Sequence, residues 1–459
     1  MITENRGTQL KIHCITIEDL VPAEHFLRKV ERTLDFSFVY KETRHLYSTI
    51  GRPGVDPVML VKYLLVGFLY GIPSERRIEQ EIQVNNAYRW FLGLDLDDKV
   101  PDHSTISQLR RRKFNGTDLF RKIFARVLAA CIEKRLVDGK LILTDSTHVK
   151  ANASKHSEIK VQVEKQAVAY WERLDKYEEA EREALETEGK IQPKKPRRQK
   201  DPTPKLIGKT VSVTDPDAGR LNRPGKPEGP HYLDHQSIDA KNGIIVDVHV
   251  TAGNVSDCVP YLEQLACVEN SLNMRVEAVA VDSGYDTSLI HKELEERGIE
   301  IFTPQKAVSD TSVAEFRREN FSYDETNDIF ICPYGYALTL RRLQRNESTI
   351  TREYRASSKS CKGCPLCGKC LPPSQKYRRL QVNIFEEIVK QHHARDSSPE
   401  YKDALRKRQI WCEGTFAAQK REHNLKQILR RGLEAAQTHC LLSATAINLK
   451  RLVKCAAAA

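Results

Sequence analysis

The sequence predicts a mixed α/β protein with an all-helical N-terminal part and a small cysteine-rich insertion. Three observations carry this. Residues from about 16 to 135 read as helical. From Leu141 onward short apolar runs alternate with helical stretches, the order of a mixed α/β layer. That layer is broken by a segment holding four cysteines in one tight run, and helices return from about residue 400.

Taken in order, Val58–Leu69 is strongly apolar, and Pro57 is placed to open a helix. Asp102-His-Ser-Thr is a cluster of cap-type residues, and the helix it opens carries Arg110, Arg111, Arg112 and Lys113. Such a helix can lie against DNA phosphates or enter a major groove, and a solvated basic end is an equal alternative. Leu141-Ile-Leu-Thr-Asp145 and Val276-Glu-Ala-Val-Ala-Val-Asp282 are apolar runs that each end in an acid. His231–Ile238 and Ile244–Val250 flank Asn242-Gly243, a hairpin signal. Leu289–Arg297 reads as helix and Glu300–Pro304 as a short strand. Ser157 to about Gly189 is charged, with Trp171, Leu174 and Tyr177 at helical spacing, and predicts a helical hairpin or arm. A flexible basic linker, Pro193–Lys200, follows it. The expected division is 1–135, helical; 136–304, the first part of the α/β core, with an insertion at about 154–205; 305–380, cysteine-rich; and 381–455, helices completing the core.

Composition excludes several classes. Hydrophobic residues at 40% and charged residues at 29% rule out a wholly disordered chain. Met59–Ile72 is too short for a membrane span and is interrupted by Lys62. The N-terminus lacks the basic start and apolar run of a secretory signal. Twelve cysteines in so long a chain fit a reduced cytosolic protein with one thiolate site better than a disulfide framework. Lys plus Arg exceed Asp plus Glu by 73 to 62, a net charge of +11 that suits a polyanionic partner.

Asp145 and Asp282 are the candidate metal ligands. Adjacent strands lie about 4.8 Å apart, so acids at two neighbouring strand ends can reach one divalent ion. Glu413, in an expected helix Lys402–Leu425, is the candidate third acid. Arg406, Glu413 and Lys420 recur every seven residues on one face, which places Lys420 about 10 Å beyond Glu413, next to a bound phosphate. Lys150, His148 and Asn152 follow Asp145 in what reads as an exposed loop able to touch DNA. Asp257 and Asp286 are expected to cap helices, and His235 to be structural. Cys361, Cys364, Cys367 and Cys370 have three equal two-residue gaps, the spacing of two zinc knuckles, and Cys332 can replace one of the four. An iron–sulfur cluster is the competing reading.

The order Asp145, Asp282, Glu413 resembles the DDE transposases of bacterial insertion sequences. The matching pieces are Leu143-Thr-Asp145-Ser-Thr147, Thr251-Ala-Gly-Asn-Val-Ser-Asp257, Val281-Asp282-Ser-Gly-Tyr285 and Glu413-Gly-Thr-Phe416 with Lys420. The front pieces Arg52-Pro-Gly-Val-Asp56-Pro57 and Pro101-Asp-His-Ser-Thr105 and the cysteine-rich piece are similar to the same group, so the resemblance runs over nearly the whole chain. It departs in one place. Many members carry an Arg four residues before the Glu and a Tyr three before that, where this chain has Gln409 and Arg406, with Arg408 next door.

The resemblance implies a ribonuclease H-like mixed sheet with flanking helices, preceded by a helical DNA-binding domain. It implies Mg²⁺ or Mn²⁺ at Asp145, Asp282 and Glu413, and cleavage and strand transfer at the ends of a mobile element. The expected partners are terminal inverted repeats and target DNA, held by at least a homodimer in the bacterial cytoplasm, at the nucleoid, with no membrane. Lys420, Arg110, Arg111, Arg112 and Lys150 are the expected DNA contacts. The alternatives are a transposase-derived DNA-binding protein or repressor without strand transfer, and a ribonuclease H-like nuclease that cuts without joining.

Overall fold

One helix that is apolar on all sides organises the N-terminal part. In the computed structural model, which describes residues 14–456 apart from 49, 52–53, 165–168, 194–205, 223–224, 226–227, 307–313, 347 and 373, this helix is Pro57–Leu69. The Asp56 carboxylate accepts a hydrogen bond from the Met59 N–H at 2.9 Å, and Pro57 supplies the first helical position. All residues from Leu60 to Leu69 are buried, as expected of a central helix. Amphipathic helices Phe26–Thr33, Glu75–Val84, Asn86–Leu92 and Leu119–Glu133 surround it through Leu27, Val30, Ile78, Ile82, Phe91, Ile123 and Val127. Residues 52–53 of the front motif and 194–200 of the basic linker lie outside the described residues.

The middle of the chain forms an eight-stranded sheet. Its strands are β1 (Leu141–Lys150), β2 (Glu158–Glu164), β3 (Leu206–Ser212), β4 (Gly219–Leu221), β5 (Gly229–Asp239), β6 (Ile245–Ala252), β7 (Ala278–Ala280) and β8 (Glu300–Phe302). The path runs β2-β3-β4-β5-β1-β7-β8, with β6 also on β5. Within it, β6-β5-β1-β7-β8 is a mixed five-stranded unit. β5 is antiparallel to both β1 and β6, and β1, β7 and β8 are parallel. Numbered within the unit, the order is third, second, first, fourth, fifth, which is the ribonuclease H-like arrangement. Helices Cys258–Leu272 and Ser288–Arg297 make its crossovers.

One expectation changes here. The segment after Ser157 is not a helical hairpin. Its helix, Ala169–Thr187, lies between β2 and β3, which extend the main sheet. The run Glu158-Ile-Lys-Val-Gln-Val-Glu164 alternates with period two, a strand signal hidden by its charge. The cysteine-rich insertion is built on a second sheet, whose buried residues continue the hydrophobic core of the main sheet. It is an antiparallel sheet of β9 (Ser322–Asp324), β10 (Ile329–Ile331), β11 (Ala337–Arg345), β12 (Ile350–Ala356) and β13 (Arg379–Asn383), in reverse chain order. Phe330, Leu338, Leu340, Tyr354 and Leu380 are buried in it.

The C-terminal helix Leu433–Ala456 joins the parts. Leu442, Ala446, Leu449 and Val453 pack into the N-terminal core, while Ala436, Cys440, Ala444 and Ile447 pack into the sheet core. It also shields the outer edge of β6. Asn448 accepts from the Ile245 N–H at 2.9 Å and donates to the Ile245 carbonyl at 2.8 Å. Gln437 accepts from the Val250 N–H at 2.9 Å and donates to the Val248 carbonyl at 2.8 Å. The two amides lie three helical turns apart, about 16 Å, which matches the strand from Ile245 to Val250 at about 3.3 Å per residue. An exposed strand edge is thereby satisfied by side chains. No helix among the described residues is long and apolar enough to cross a membrane.

Candidate active site

Strand register brings the first two acids together. β1 and β7 pair in parallel with Leu143 opposite Ala280. The pairing stops there, and two residues further along each chain stand Asp145 and Asp282, near enough for the Asp282 charge to act on Asp145. Asp145 does not end its strand as expected. β1 runs on to Lys150 because β5 continues to pair with it, Asp145 opposite Gln236 and Lys150 opposite His231. His148 and Lys150 therefore lie in a strand rather than a loop, and the Lys150 side chain is exposed. Asp282 lies just past the end of β7, in a turn where Gly284 N–H donates to its Oδ1 at 2.7 Å. A Cβ at Gly284 would stand 2.9 Å from that oxygen and 3.3 Å from Asp257 Oδ2, so a side chain there would push on both carboxylates.

Asp257 is the acid that sequence reasoning misplaced. It precedes the helix Cys258–Leu272, but its carboxylate makes no cap hydrogen bond. Instead Asp257 Oδ1 accepts from Ser146 Oγ at 2.7 Å, beside Asp145 and Asp282. The motif Thr251-Ala-Gly-Asn-Val-Ser-Asp257 was the available signal. Burial first, and the Asp282 and Asp257 charges after it, push the Asp145 carboxyl up to about 6 against the pull of Arg408. Tyr285, fully buried beneath the three acids, is pushed well above its ordinary range by burial and then by their charges. His235 is buried, meets Thr251 Oγ1 at 2.9 Å, and is held neutral by burial, as a structural histidine is.

The third expected acid, Glu413, approaches on a helix laid over β1, and the expected single helix is interrupted there. Helix Pro399–Arg408 passes into a π-helical turn, Gln409–Glu413, and then into helix Gly414–Glu422. Trp411 fixes that turn to the β5–β6 hairpin. Its Nε1 donates to the Ala240 carbonyl at 3.1 Å, and its ring lies so close to Gly243, at φ 72°, that no Cβ fits there. Cys412 is fully buried, and Glu413 faces solvent. The Arg408 guanidinium meets Asp145 Oδ2 at 2.8 Å, and Lys420 Nζ meets Thr147 Oγ1 at 2.6 Å. Glu413 thus lies between two side chains anchored on β1.

The π turn accounts for the departure in sequence pattern. A π turn takes one more residue than an α turn. Arg408, five residues before Glu413, therefore stands one turn from it, as an arginine four residues before would in an α-helix. The same extra residue breaks the seven-residue face drawn through Arg406, which instead pairs with Asp403.

The basic helix end divides. Arg110 is buried and ion-paired with Glu75, so it belongs to the core and is not an exposed cation. Arg111 and Arg112 are exposed. Asp286 does not cap a helix; it accepts from the Lys306 N–H at 2.6 Å and meets two histidines. The cysteines Cys361, Cys364, Cys367 and Cys370 occupy the β12–β13 connection, near Cys332. Burial raises the Cys370 thiol, Arg378 opposes, and Cys361, Cys332 and Cys364 add to the rise. Backbone N–H groups already donate to two of the sulfurs, Tyr336 to Cys332 at 3.3 Å and Arg378 to Cys361 at 3.4 Å. Among the described residues, however, no three of these sulfurs come within 4.8 Å of one another, so a tetrahedral thiolate set is not preformed.

A ribonuclease H-like core with neighbouring carboxylates on its central parallel strands is the class that fold and site define. Two families match the chain, a transposase domain (DUF772) over residues 15–112 and a transposase DDE domain over residues 331–453. Both matches are to transposase domains, and neither spans half of the chain. The second match contains Glu413, Lys420 and the cysteines; Asp145 and Asp282 lie between the two matches. No curated protein matches. Among solved structures, a piggyBac transposase synaptic complex with hairpin DNA is similar at 8% identity and a TM-score of 0.35, covering 94% of this chain and 76% of that one. The Mos1 mariner paired end complex with Mn is similar at 12% identity and a TM-score of 0.18, covering 57% of this chain and 63% of that one. This chain thus spans less than two thirds of the Mos1 chain.

Proposed function

We propose that this protein is a DNA transposase that binds the ends of a mobile element, cleaves a phosphodiester to free a 3′-OH, and transfers that strand to target DNA. The observation that supports the reading is the parallel β1–β7 pairing that ends two residues short of Asp145 and Asp282, with Arg408, from the helix leading to Glu413, on Asp145. An all-oxygen donor set of this kind suits Mg²⁺ or Mn²⁺. The acids crowd negative charge into a half-buried site, and Arg408 already supplies one cation at Asp145. Two such ions, when bound, activate a water or 3′-hydroxyl and stabilise the leaving oxygen.

The chain's own residues have separable tasks. Asp145 and Asp282 hold the acid pair in register, and Glu413 completes the set from the helix. Gly284 N–H fixes the Asp282 rotamer. Lys420, Lys150, Arg111 and Arg112 offer cations to DNA phosphates, and the helical domain of residues 1–135 takes the element end. Zinc at four of Cys332, Cys361, Cys364, Cys367 and Cys370 would draw those sulfurs together and rigidify the β12–β13 connection. Pairing of two ends calls for at least a dimer. A protein that binds ends without cutting would have no use for acids crowded in this way.

The test is a Mg²⁺-dependent cleavage assay on DNA carrying the element's ends. Asp145→Asn, Asp282→Asn and Glu413→Gln each abolish cleavage and leave end-binding within a few-fold. Normal cleavage by any one of them removes that residue from the site. Lys420→Ala keeps the chemistry but lowers the salt slope of binding by about one.

A further inference from the structure

Asp286, His291 and His393 form a second constellation, separate from the acid pair. Asp286 follows the Asp282 turn, His291 is in the helix Ser288–Arg297, and His393 ends the helix Glu386–His393, at the return from the insertion. His291 Nε2 lies 2.9 Å and His393 Nε2 3.1 Å from the same oxygen, Asp286 Oδ1. All three side chains are nearly buried, at 0%, 9% and 8% exposure for His291, His393 and Asp286. The other carboxylate oxygen of Asp286 is taken by the Lys306 N–H at 2.6 Å, which leaves Oδ1 to face the two rings.

The outer contacts decide what the three atoms are for. His291 Nδ1 meets His392 Nδ1 at 2.8 Å, and His392 Nε2 meets Glu295 Oε2 at 2.8 Å. His393 Nδ1 meets Asp396 Oδ2 at 3.0 Å. With one proton on each ring, all these contacts are matched in only one way. His393 Nδ1–H donates to Asp396, His291 Nδ1–H donates to His392, and His392 Nε2–H donates to Glu295. Both inner Nε2 atoms then carry lone pairs aimed at an ionised carboxylate oxygen. In this assignment three acceptors converge with no donor among them, and one divalent cation resolves the conflict.

We infer that Asp286, His291 and His393 bind one divalent transition-metal ion of the Zn²⁺ class. Two imidazoles and one carboxylate with carboxylate-oriented rings are the chemistry of such sites. Mg²⁺ is disfavoured because it prefers oxygen ligands. A tetrahedral ion with bonds of about 2.0 to 2.1 Å sets its ligands about 3.3 Å apart, a few tenths of an ångström beyond the spacing present. The ion ties the turn behind Asp282 to the helix that ends the insertion. That helix leads directly into Pro399–Arg408, which delivers Arg408 to Asp145. The ion is therefore structural, and its site is distinct from the catalytic acids and the cysteines.

The experiment uses the full-length chain, stripped with a chelator, alkylated at accessible thiols, and titrated with Co²⁺ in excess Mg²⁺. The expected result is a ligand-field absorption that saturates at one equivalent, with no thiolate charge-transfer band. It disappears in Asp286→Asn and His393→Asn, whose folding is checked by circular dichroism. X-ray absorption on the wild-type Co²⁺ form reads the same point without variants, with a first shell of nitrogen and oxygen. No absorption after alkylation, an absorption unchanged in both variants, or a sulfur-containing shell overturns the inference.

Discussion

Asp145 carries the sharpest residue-scale consequence. Its folded-state pKa, raised to about 6, lies above the ordinary aspartate value, so the folded chain holds this proton more tightly than the unfolded chain does. The stabilisation from the bound proton is complete below the unfolded value and is lost as pH rises through 6. In EDTA, the stability of the wild type relative to Asp145→Asn should fall by about 1 kcal/mol between pH 5 and 7. Denaturant melts of both chains at each pH measure it, and a difference that stays flat or grows counts against a buried, crowded acid. Gly284→Ala tests the neighbouring turn. A methyl 2.9 Å from Asp282 Oδ1 must displace that carboxylate, lowering cleavage on the order of 10- to 100-fold with little change in melting temperature. Wild-type cleavage by this variant would mean that the carboxylate position is not critical. Asp282 and its Gly were legible from the sequence, because an apolar run ending in Asp-Ser-Gly is a local signal. Asp257 was not, because a residue at a helix start looks like a cap whether or not it caps.

At the scale of elements, the π turn Gln409–Glu413 sets how Glu413 is presented. Ile410 is exposed in it. Deleting Ile410 should restore a continuous α-helix with the arginine four residues before the glutamate, and retain cleavage within about tenfold. Deleting one residue from Gly414–Glu422 instead rotates Lys420 by about 100° away from Thr147. Equal loss in both deletions, read by the cleavage assay, would contradict this account of the turn. A sequence pattern with a 3.6-residue period cannot announce a π turn, so the heptad drawn through Arg406 failed where the helix departs from that period. The strands of the core were legible for the opposite reason. β5 and β6 flank Asn242-Gly243, a local hairpin signal, whereas β2 alternates with charges and sits in a stretch whose composition favours helix. The length of β1 beyond Asp145 depended on its pairing with β5, a contact more than 80 residues distant that no local pattern records.

At the scale of the whole molecule, the N-terminal helices are part of the support of the site. His423 Nδ1 meets the Phe68 carbonyl at 2.6 Å, and Asn424 donates to the carbonyls of Gly67 and Ile72 at 3.1 and 2.8 Å. These side chains satisfy the end of the helix Pro57–Leu69 and moor the end of the helix bearing Lys420. A chain beginning at residue 136 would expose Leu442, Leu449 and Val453 to water and should aggregate on size-exclusion chromatography. A monodisperse, cooperatively unfolding fragment would show instead that the core stands alone. In the proposed function, three distant stretches of chain meet at one cation site. Fe²⁺ placed there with peroxide cuts the polypeptide next to its ligands, and mass spectrometry locates the cuts. Scission is expected near Asp145, Asp282 and Glu413, all suppressed by excess Mg²⁺. Cuts at only one of these stretches, or cuts that Mg²⁺ does not suppress, would contradict it.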